Sequence, residues 1–323
     1  MEKNNVKKIV FLTGTRADFG KIRSLISKLN EDGHFATHIF ATGMHMDSKY
    51  GSTVNEIEKF GFPNIYKFIN YAGPSTLDAI FANTVSGFGN FVRETKPDMI
   101  VVHGDRSEAL AGALVGSMNN ILVAHIEGGE LSGTIDEMIR HAVSKVSHLH
   151  FVANEEAKKR LIQMGEKEDT IFVIGSPDLD IMRSENLPTL SEMKKTFDVP
   201  FDKYGIFIFH PFSAEMGGLL KSVEIVVDAL IESKFNYVAV YPNNDPGTDI
   251  ILDIYKKKLF NSKRFIIHPS MRFEHFLTLL KNANFIIGNS SAGIREAPFY
   301  GVPAINIGGR QSNRVREGKI GSI

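Results

Sequence analysis

Carboxylates and imidazoles collect in two short stretches of the first half of this chain. The stretch "DMIVVHGDRSE" (98–108) carries His103 and Asp105, and "ILVAHIEGGELSGTIDEMIRH" (121–141) carries His125, Glu127, Glu130 and Asp136. Each opens with four or five apolar residues that fit a strand buried on both faces, then breaks into polar residues and Gly where the strand should end. In open α/β sheets, ligands bind at the carboxyl ends of the strands. Asp105, Glu127 and Asp136 are therefore expected near one another, with His103, His125 and Glu130 beside them. Carboxylates that share a site push their proton affinities apart, so one can act as a base while another holds a proton. Proton transfer is the chemistry this grouping suggests.

A second chemistry is open to the same residues. His103 with Asp105, and His125 with Glu127, stand two apart on strands and so face the same side. Four such ligands could hold zinc or manganese. The H-E-x-x-H spacing is absent, however, and a third histidine would have to come from elsewhere. Asp136 has its own simpler reading, since it falls near a helix start, where a carboxylate offsets the helix dipole.

Anion binding is suggested at two further places. "LTGTRADFGK" (12–21) puts a Gly turn at the end of the first strand and immediately before a helix, with Arg16 and Lys21 adding positive charge. It is neither a Walker loop nor G-x-G-x-x-G, so ATP or NAD is not indicated. "FIIGNSSAGIREAPFYGVPAINIG" (285–308) repeats the arrangement: Ser290 and Ser291 sit where a strand gives way to a helix, and Glu296 lies about one turn further on, where it could accept from a ribose diol. A plain helix cap is the alternative for the serines. His210 ends "GIFIFHPFS" and is placed to donate to a pyrophosphate, or to bond a backbone carbonyl as a structural histidine.

The elements that must position these residues alternate along the whole chain. Strands are expected at 9–13, 37–41, 99–102, 121–125, 150–153 and 171–174, then at 205–210, 237–241, 265–268, 285–288 and 304–307. Helices lie between them, for example over 222–232, 249–259 and 273–283, and Ile22, Leu25, Ile26 and Leu29 are spaced as one helical face. Such alternation implies parallel, doubly wound sheets. The pattern weakens over 175–205, which predicts an N-terminal Rossmann-like domain over 1–178, a linker region over 179–204 and a C-terminal Rossmann-like domain over 205–323. Two such domains facing a central cleft is the economical architecture.

Composition narrows the function. Thirty-seven Lys plus Arg balance thirty-seven Asp plus Glu, so no global basic field invites nucleic acid or an anionic membrane. The absence of Cys excludes disulfides, Cys-zinc sites and thiol nucleophiles. With no apolar run of membrane-spanning length and an N-terminus that passes from charge straight into a strand, a cytoplasmic protein is expected.

Taken together, "GTRADFGK", "HGDR", "HIEGGE", "TIDEMIRHAV", "HP" at 210, "YPNNDPG" (241–247), "IGNSSAGIRE" and "INIGGRQ" (305–311) resemble the UDP-N-acetylglucosamine 2-epimerase family in order and spacing. The "RADFGK" and "HIEGGE" forms resemble its hydrolysing branch, which feeds sialic acid and related nonulosonic acid synthesis, including the legionaminic acid route. The resemblance implies a GT-B fold, no metal or redox cofactor, at least a dimer (a homodimer or homotetramer), and elimination of UDP to 2-acetamidoglucal followed by hydration to the free 2-epimer. It matches Asp105, Glu127 and Asp136 to catalytic carboxylates and His210 to a histidine near the diphosphate. Arg16, Arg106, Asn243, Ser290, Ser291, Glu296 and Arg310 match nucleotide and phosphate contacts, with Lys21 and Glu130 counted as substrate-binding. Family members usually continue several tens of residues beyond "GGRQ", so the second domain is expected to be truncated at its C-terminal end. A GT-B glycosyltransferase, a metal-dependent hydrolase and a nucleotide-sugar sensing module without turnover are the competing functions.

Overall fold

The computed structural model describes residues 6–71, 75–132, 135–211, 217–243, 245–311 and 320–322. Gly133 and Thr134 of the "GTID" turn, Asn244 of "YPNNDPG" and most of the C-terminal "VREGKIGSI" lie outside the described residues. The chain forms two compact units, one of residues 1–130 and 136–179 and the other of residues 131–135 and 180–323.

Seven parallel strands make the sheet of the first unit: β1 (Lys7–Thr13), β2 (Phe35–Ala41), β3 (Ile65–Lys67), β4 (Met99–His103), β5 (Leu122–Ile126), β6 (Leu149–Val152) and β7 (Ile171–Val173). Their order is β3-β2-β1-β4-β5-β6-β7. Helices cover both faces, which is why β1 is apolar at successive positions: Val10 and Leu12 enter one core with Phe40, Phe88 and Ile100, while Ile9 and Phe11 enter the other with Ile22, Ile26 and Ile39. Each such side chain contributes on the order of 1.5–3 kcal/mol by leaving water. In the first helix, Arg16–Asp32, Ile22 and Ile26 are buried and Leu29 packs beside them, but Leu25 stands at the edge of the stripe and is 38 % exposed.

The second unit has six parallel strands: β8 (Gly205–Ile208), β9 (Tyr237–Val240), β10 (Phe265–His268), β11 (Phe285–Gly288), β12 (Ala304–Asn306) and β13 (Ile320–Ser322). Their order is β10-β9-β8-β11-β12-β13. The stretch before β8 carries a helix, Leu190–Thr196, whose Met193 joins Val199, Phe201 and Tyr204 in this unit's core. Its prolines, Pro188 and Pro200, flank the helix instead of interrupting it.

The sequence pattern does not announce β3 and β13. Each has three residues. In both sheets the strand order reverses beside the first strand, between β1 and β4 and between β8 and β11. Those reversals open the crevices where α/β sheets take ligands, and Arg16, Lys21, Asp105, Arg106, His210, Ser290 and Ser291 follow these strands.

Candidate functional site

The turn after β1 is built around Asp18. Thr15 caps the helix Arg16–Asp32 and forms a capping box with Asp18, whose carboxylate accepts from the Gly14 and Thr15 amides at 3.0 and 3.1 Å. Burial raises the proton affinity of Asp18, against the hydrogen bonds from Thr13 and these amides. His45 faces the same pocket, bonded to Thr13 Oγ1 at 2.9 Å and Thr53 Oγ1 at 2.7 Å. Burial holds its proton affinity down to about 3, so the ring is neutral. Arg16 pairs with Glu56, and Arg106 stands half-buried at the N-cap of the helix Ser107–Met118.

Glu127 follows β5 in a left-handed conformation (φ 62°) and is 3 % exposed. A non-glycine residue adopts this region only when its surroundings hold it there. Here the Glu127 N–H donates to Phe151 O at 2.8 Å, and the carboxylate is fixed from three sides. Lys21 Nζ lies 2.9 Å from Oε2, His103 Nε2 lies 3.1 Å from the same oxygen, and Ser176 Oγ donates to Oε1 at 2.6 Å. Lys21 also pairs with Asp178 at 2.9 Å, and Asp178 is 1 % exposed.

Asp105 belongs to a different ion pair. Its partner is Arg140 on the helix Ile135–Lys145, and Arg140 also donates to the Glu130 carbonyl at 2.9 Å. Asp136 lies half-buried in the first turn of that helix, four residues before Arg140 and therefore on the same face, one turn away. Glu127 and Asp105 are thus each held by a cation, and Asp136 shares the helix that carries Arg140.

His125 does not join them. Its Nε2 donates to Gly104 O at 2.8 Å, its Nδ1 accepts from Ser144 at 3.0 Å, and burial lowers its proton affinity to about 3. The hydrogen-bonded ring has no orientation left for a metal. Among the described residues no group of three or more His, Asp or Glu could hold a metal ion.

In the second unit His210 is 7 % exposed and immobilised. Its backbone N–H donates to Asn289 Oδ1 at 2.7 Å, its carbonyl accepts from Asn289 Nδ2 at 2.8 Å, and its Nδ1 accepts from the Asn243 N–H at 3.0 Å. Gln311 and Arg310 donate to the Asn289 carbonyl at 3.0 and 3.3 Å, which ties the "GGRQ" segment to the same residue. Ser290 caps the turn Ser291–Gly293 by accepting from the Ala292 N–H at 3.3 Å. Glu296 opens the short helix Glu296–Phe299 and is 6 % exposed. Gly288 has φ 137°, and a Cβ there would collide with Ile208 O. Only glycine lets β11 end this close to β8 and present Asn289 to His210.

Asp178, Ser176, Arg140 and Asn289 belong to these arrangements without standing out in the sequence. "GSPD" (175–178) carries a usable signal, a Gly turn with a hydroxyl and a carboxylate directly after a strand, but its proline makes it read as part of the boundary region. Asn289 stands one residue before the serine pair and is masked by it.

The family model described as UDP-N-acetylglucosamine 2-epimerase matches residues 27–320. The chain is 49 % identical over 309 residues to the UDP-N-acetylglucosamine 2-epimerase of Neisseria meningitidis serogroup B, covering 96 % of this chain and 81 % of that one. It is 35 % identical to the UDP-N,N'-diacetylbacillosamine 2-epimerase (hydrolyzing) of Legionella pneumophila, over 98 % of this chain and 84 % of that one. Among solved structures, the Methanocaldococcus jannaschii UDP-GlcNAc 2-epimerase in complex with UDP-GlcNAc and UDP matches with a TM-score of 0.76 at 27 % identity, over 93 % of this chain and 83 % of that one. A Neisseria meningitidis UDP-GlcNAc 2-epimerase bound to UDP-GlcNAc matches with a TM-score of 0.75 at 21 % identity, over 93 % and 82 %, which shows the shared GT-B type α/β fold. By family model, sequence relatives and fold alike, the chain belongs to the UDP-N-acetylglucosamine 2-epimerase family.

Proposed function

We propose that this protein is a hydrolysing UDP-N-acetylglucosamine 2-epimerase. It takes UDP-GlcNAc, or a UDP-2,4-diacetamido-trideoxyhexose, and water to the free 2-epimer and UDP. The observation that carries this reading is the buried carboxylate of Glu127, fixed by Lys21, His103 and Ser176 in a left-handed backbone. A site for an anionic ligand has no reason to gather carboxylates unless a reaction needs them. Identity to a relative named as hydrolysing supports the finer assignment.

In this reading one carboxylate among Asp105, Glu127 and Asp136 removes the proton at carbon 2. The C1–O bond breaks, its electron pair leaves with UDP, and a carbon 1 to carbon 2 double bond forms. Water oxygen then adds at carbon 1, and another carboxylate delivers a proton to carbon 2 on the opposite face, which inverts that centre. His210, donating through Nε2, stabilises charge growing on the departing diphosphate. Ser290, Ser291, Glu296, Asn243 and Arg310 hold the nucleotide, with Arg16 and Arg106 as further phosphate contacts. A leaving group as good as UDP needs no cofactor.

The test is incubation with UDP-GlcNAc in heavy water without added metal, followed by proton NMR. Free ManNAc deuterated at carbon 2 together with UDP is the expected result. UDP-ManNAc with no free sugar would make the enzyme a non-hydrolysing epimerase. Turnover confined to the 2,4-diacetamido sugar would reassign the substrate.

A further inference from the structure

Two buried carboxylates share one ammonium in the first unit. Lys21 Nζ stands 2.9 Å from Glu127 Oε2 and 2.9 Å from Asp178 Oδ2, and the two acids are 3 % and 1 % exposed. Ser176 spans the same pair, donating to Glu127 Oε1 at 2.6 Å and lying 3.4 Å from Asp178 Oδ2. With both acids ionised and Lys21 charged, the trio carries a net charge of −1. Burying two carboxylates against one cation is costly, so the arrangement needs a reason.

We propose that Asp178 is a positioning residue for Glu127: it draws the Lys21 ammonium to a point midway between the two acids and keeps Glu127 a competent proton carrier. The inference rests on the proton-transfer role proposed for Glu127. If Lys21 paired with Glu127 alone, the full cation would stabilise the Glu127 anion and make it a poor base. Asp178 divides that attraction. Ser176 works in the opposite sense, because its hydroxyl hydrogen bond stabilises the Glu127 anion. The titratable and charged groups facing Glu127 include Lys21 from the first helix, His103 at the end of β4, Asp178 after β7 and, behind it on β5, His125. Of these, His125 is held neutral by burial.

The experiment compares wild type, Asp178→Asn and Ser176→Ala, using carbon-detected NMR titration of the Glu127 carboxyl, assigned with Glu127→Gln. This readout needs no substrate and remains valid if the proposed activity fails. Asp178→Asn should move the Glu127 titration to lower pH and Ser176→Ala to higher pH, each by about one unit. In turnover, whichever limb of the kcat profile Glu127 governs should move in the same two directions, with kcat falling about tenfold or more while KM changes little. Asp178→Glu should restore part of the loss. Coincident Glu127 titrations in all three proteins, or shifts of the same sign in both variants, would overturn the proposal. Opposite shifts without any turnover in wild type would uphold the charge-sharing and overturn the function it was assigned to serve.

Discussion

The imidazole Nδ1 of His210 accepts a hydrogen bond from the backbone N–H of Asn243, 3.0 Å away. A neutral imidazole with Nδ1 occupied as an acceptor carries its proton on Nε2, so the ring is a donor at neutral pH without needing a positive charge. Replacing His210 by Ala should lower kcat by about 10²–10³ with little change in KM, the loss expected when one donor to a developing anion is removed. Steady-state UDP release measures it; unchanged kcat would remove His210 from the chemistry.

Arg140 is 2 % exposed and holds both the Asp105 carboxylate and the Glu130 carbonyl. Breaking a buried pair by removing one partner costs about 3–5 kcal/mol, and the Asp105 side chain, 23 % exposed, brings this down to about 2–3. Arg140→Met should therefore lower the urea midpoint and abolish most turnover. Arg140→Lys should recover stability better than activity, because an ammonium cannot reproduce the two-sided fork. Equal recovery of both would deny Arg140 any part in orienting Asp105.

His125 makes folding sensitive to acid. Burial lowers its proton affinity from an ordinary 6.5 to about 3, so between those values the unfolded chain binds one more proton than the folded one. The stability of the neutral ring is complete above about pH 6.5 and is lost as pH falls toward 3, by up to about 1.4 kcal/mol per unit. His45 adds a loss of the same sign over the same window. Asp18, raised by burial, acts oppositely, contributing most at low pH and less as pH rises through its folded value. Urea unfolding from pH 7 to pH 4 should show a steep decline in wild type, shallower by about one proton in His125→Gln. Parallel slopes would mean that His125 is already protonated in the fold.

Gly288 makes the tightest backbone approach beside His210: its φ is 137°, and a methyl group in place of its hydrogen would run into the Ile208 carbonyl oxygen. Gly288→Ala should cost more than about 4 kcal/mol, the range reserved for strained backbone and overpacking together. Thermal unfolding of purified protein, or its failure to accumulate in soluble form, checks this. A wild-type melting curve would show that β11 and β8 can separate at no cost.

All the strands but β3 and β13, their approximate ends and the polar residues that follow them are legible in the amino-acid sequence alone. These are local properties: apolar runs such as Ile100–Val102 and Val123–Ala124 are readable because parallel strands are buried on both faces, and the glycines after them mark the turns. The same residues carry the motifs that resemble the epimerase family, whose model matches residues 27–320. Which side chains become partners was settled only when the chain folded. Lys21 and Asp178 are far apart in the chain, yet they meet because β1 lies inside the sheet order and the "GSPD" turn after edge strand β7 reaches back toward the same end. Asp105 and Glu127, which spacing places in one group, each acquire their own cation, Arg140 for one and Lys21 for the other. His125 drops out of the group for a similar reason, since Gly104 and Ser144 take both its ring nitrogens. Side-chain pairing depends on which strand ends the sheet order brings together, and no local period in the sequence encodes that order.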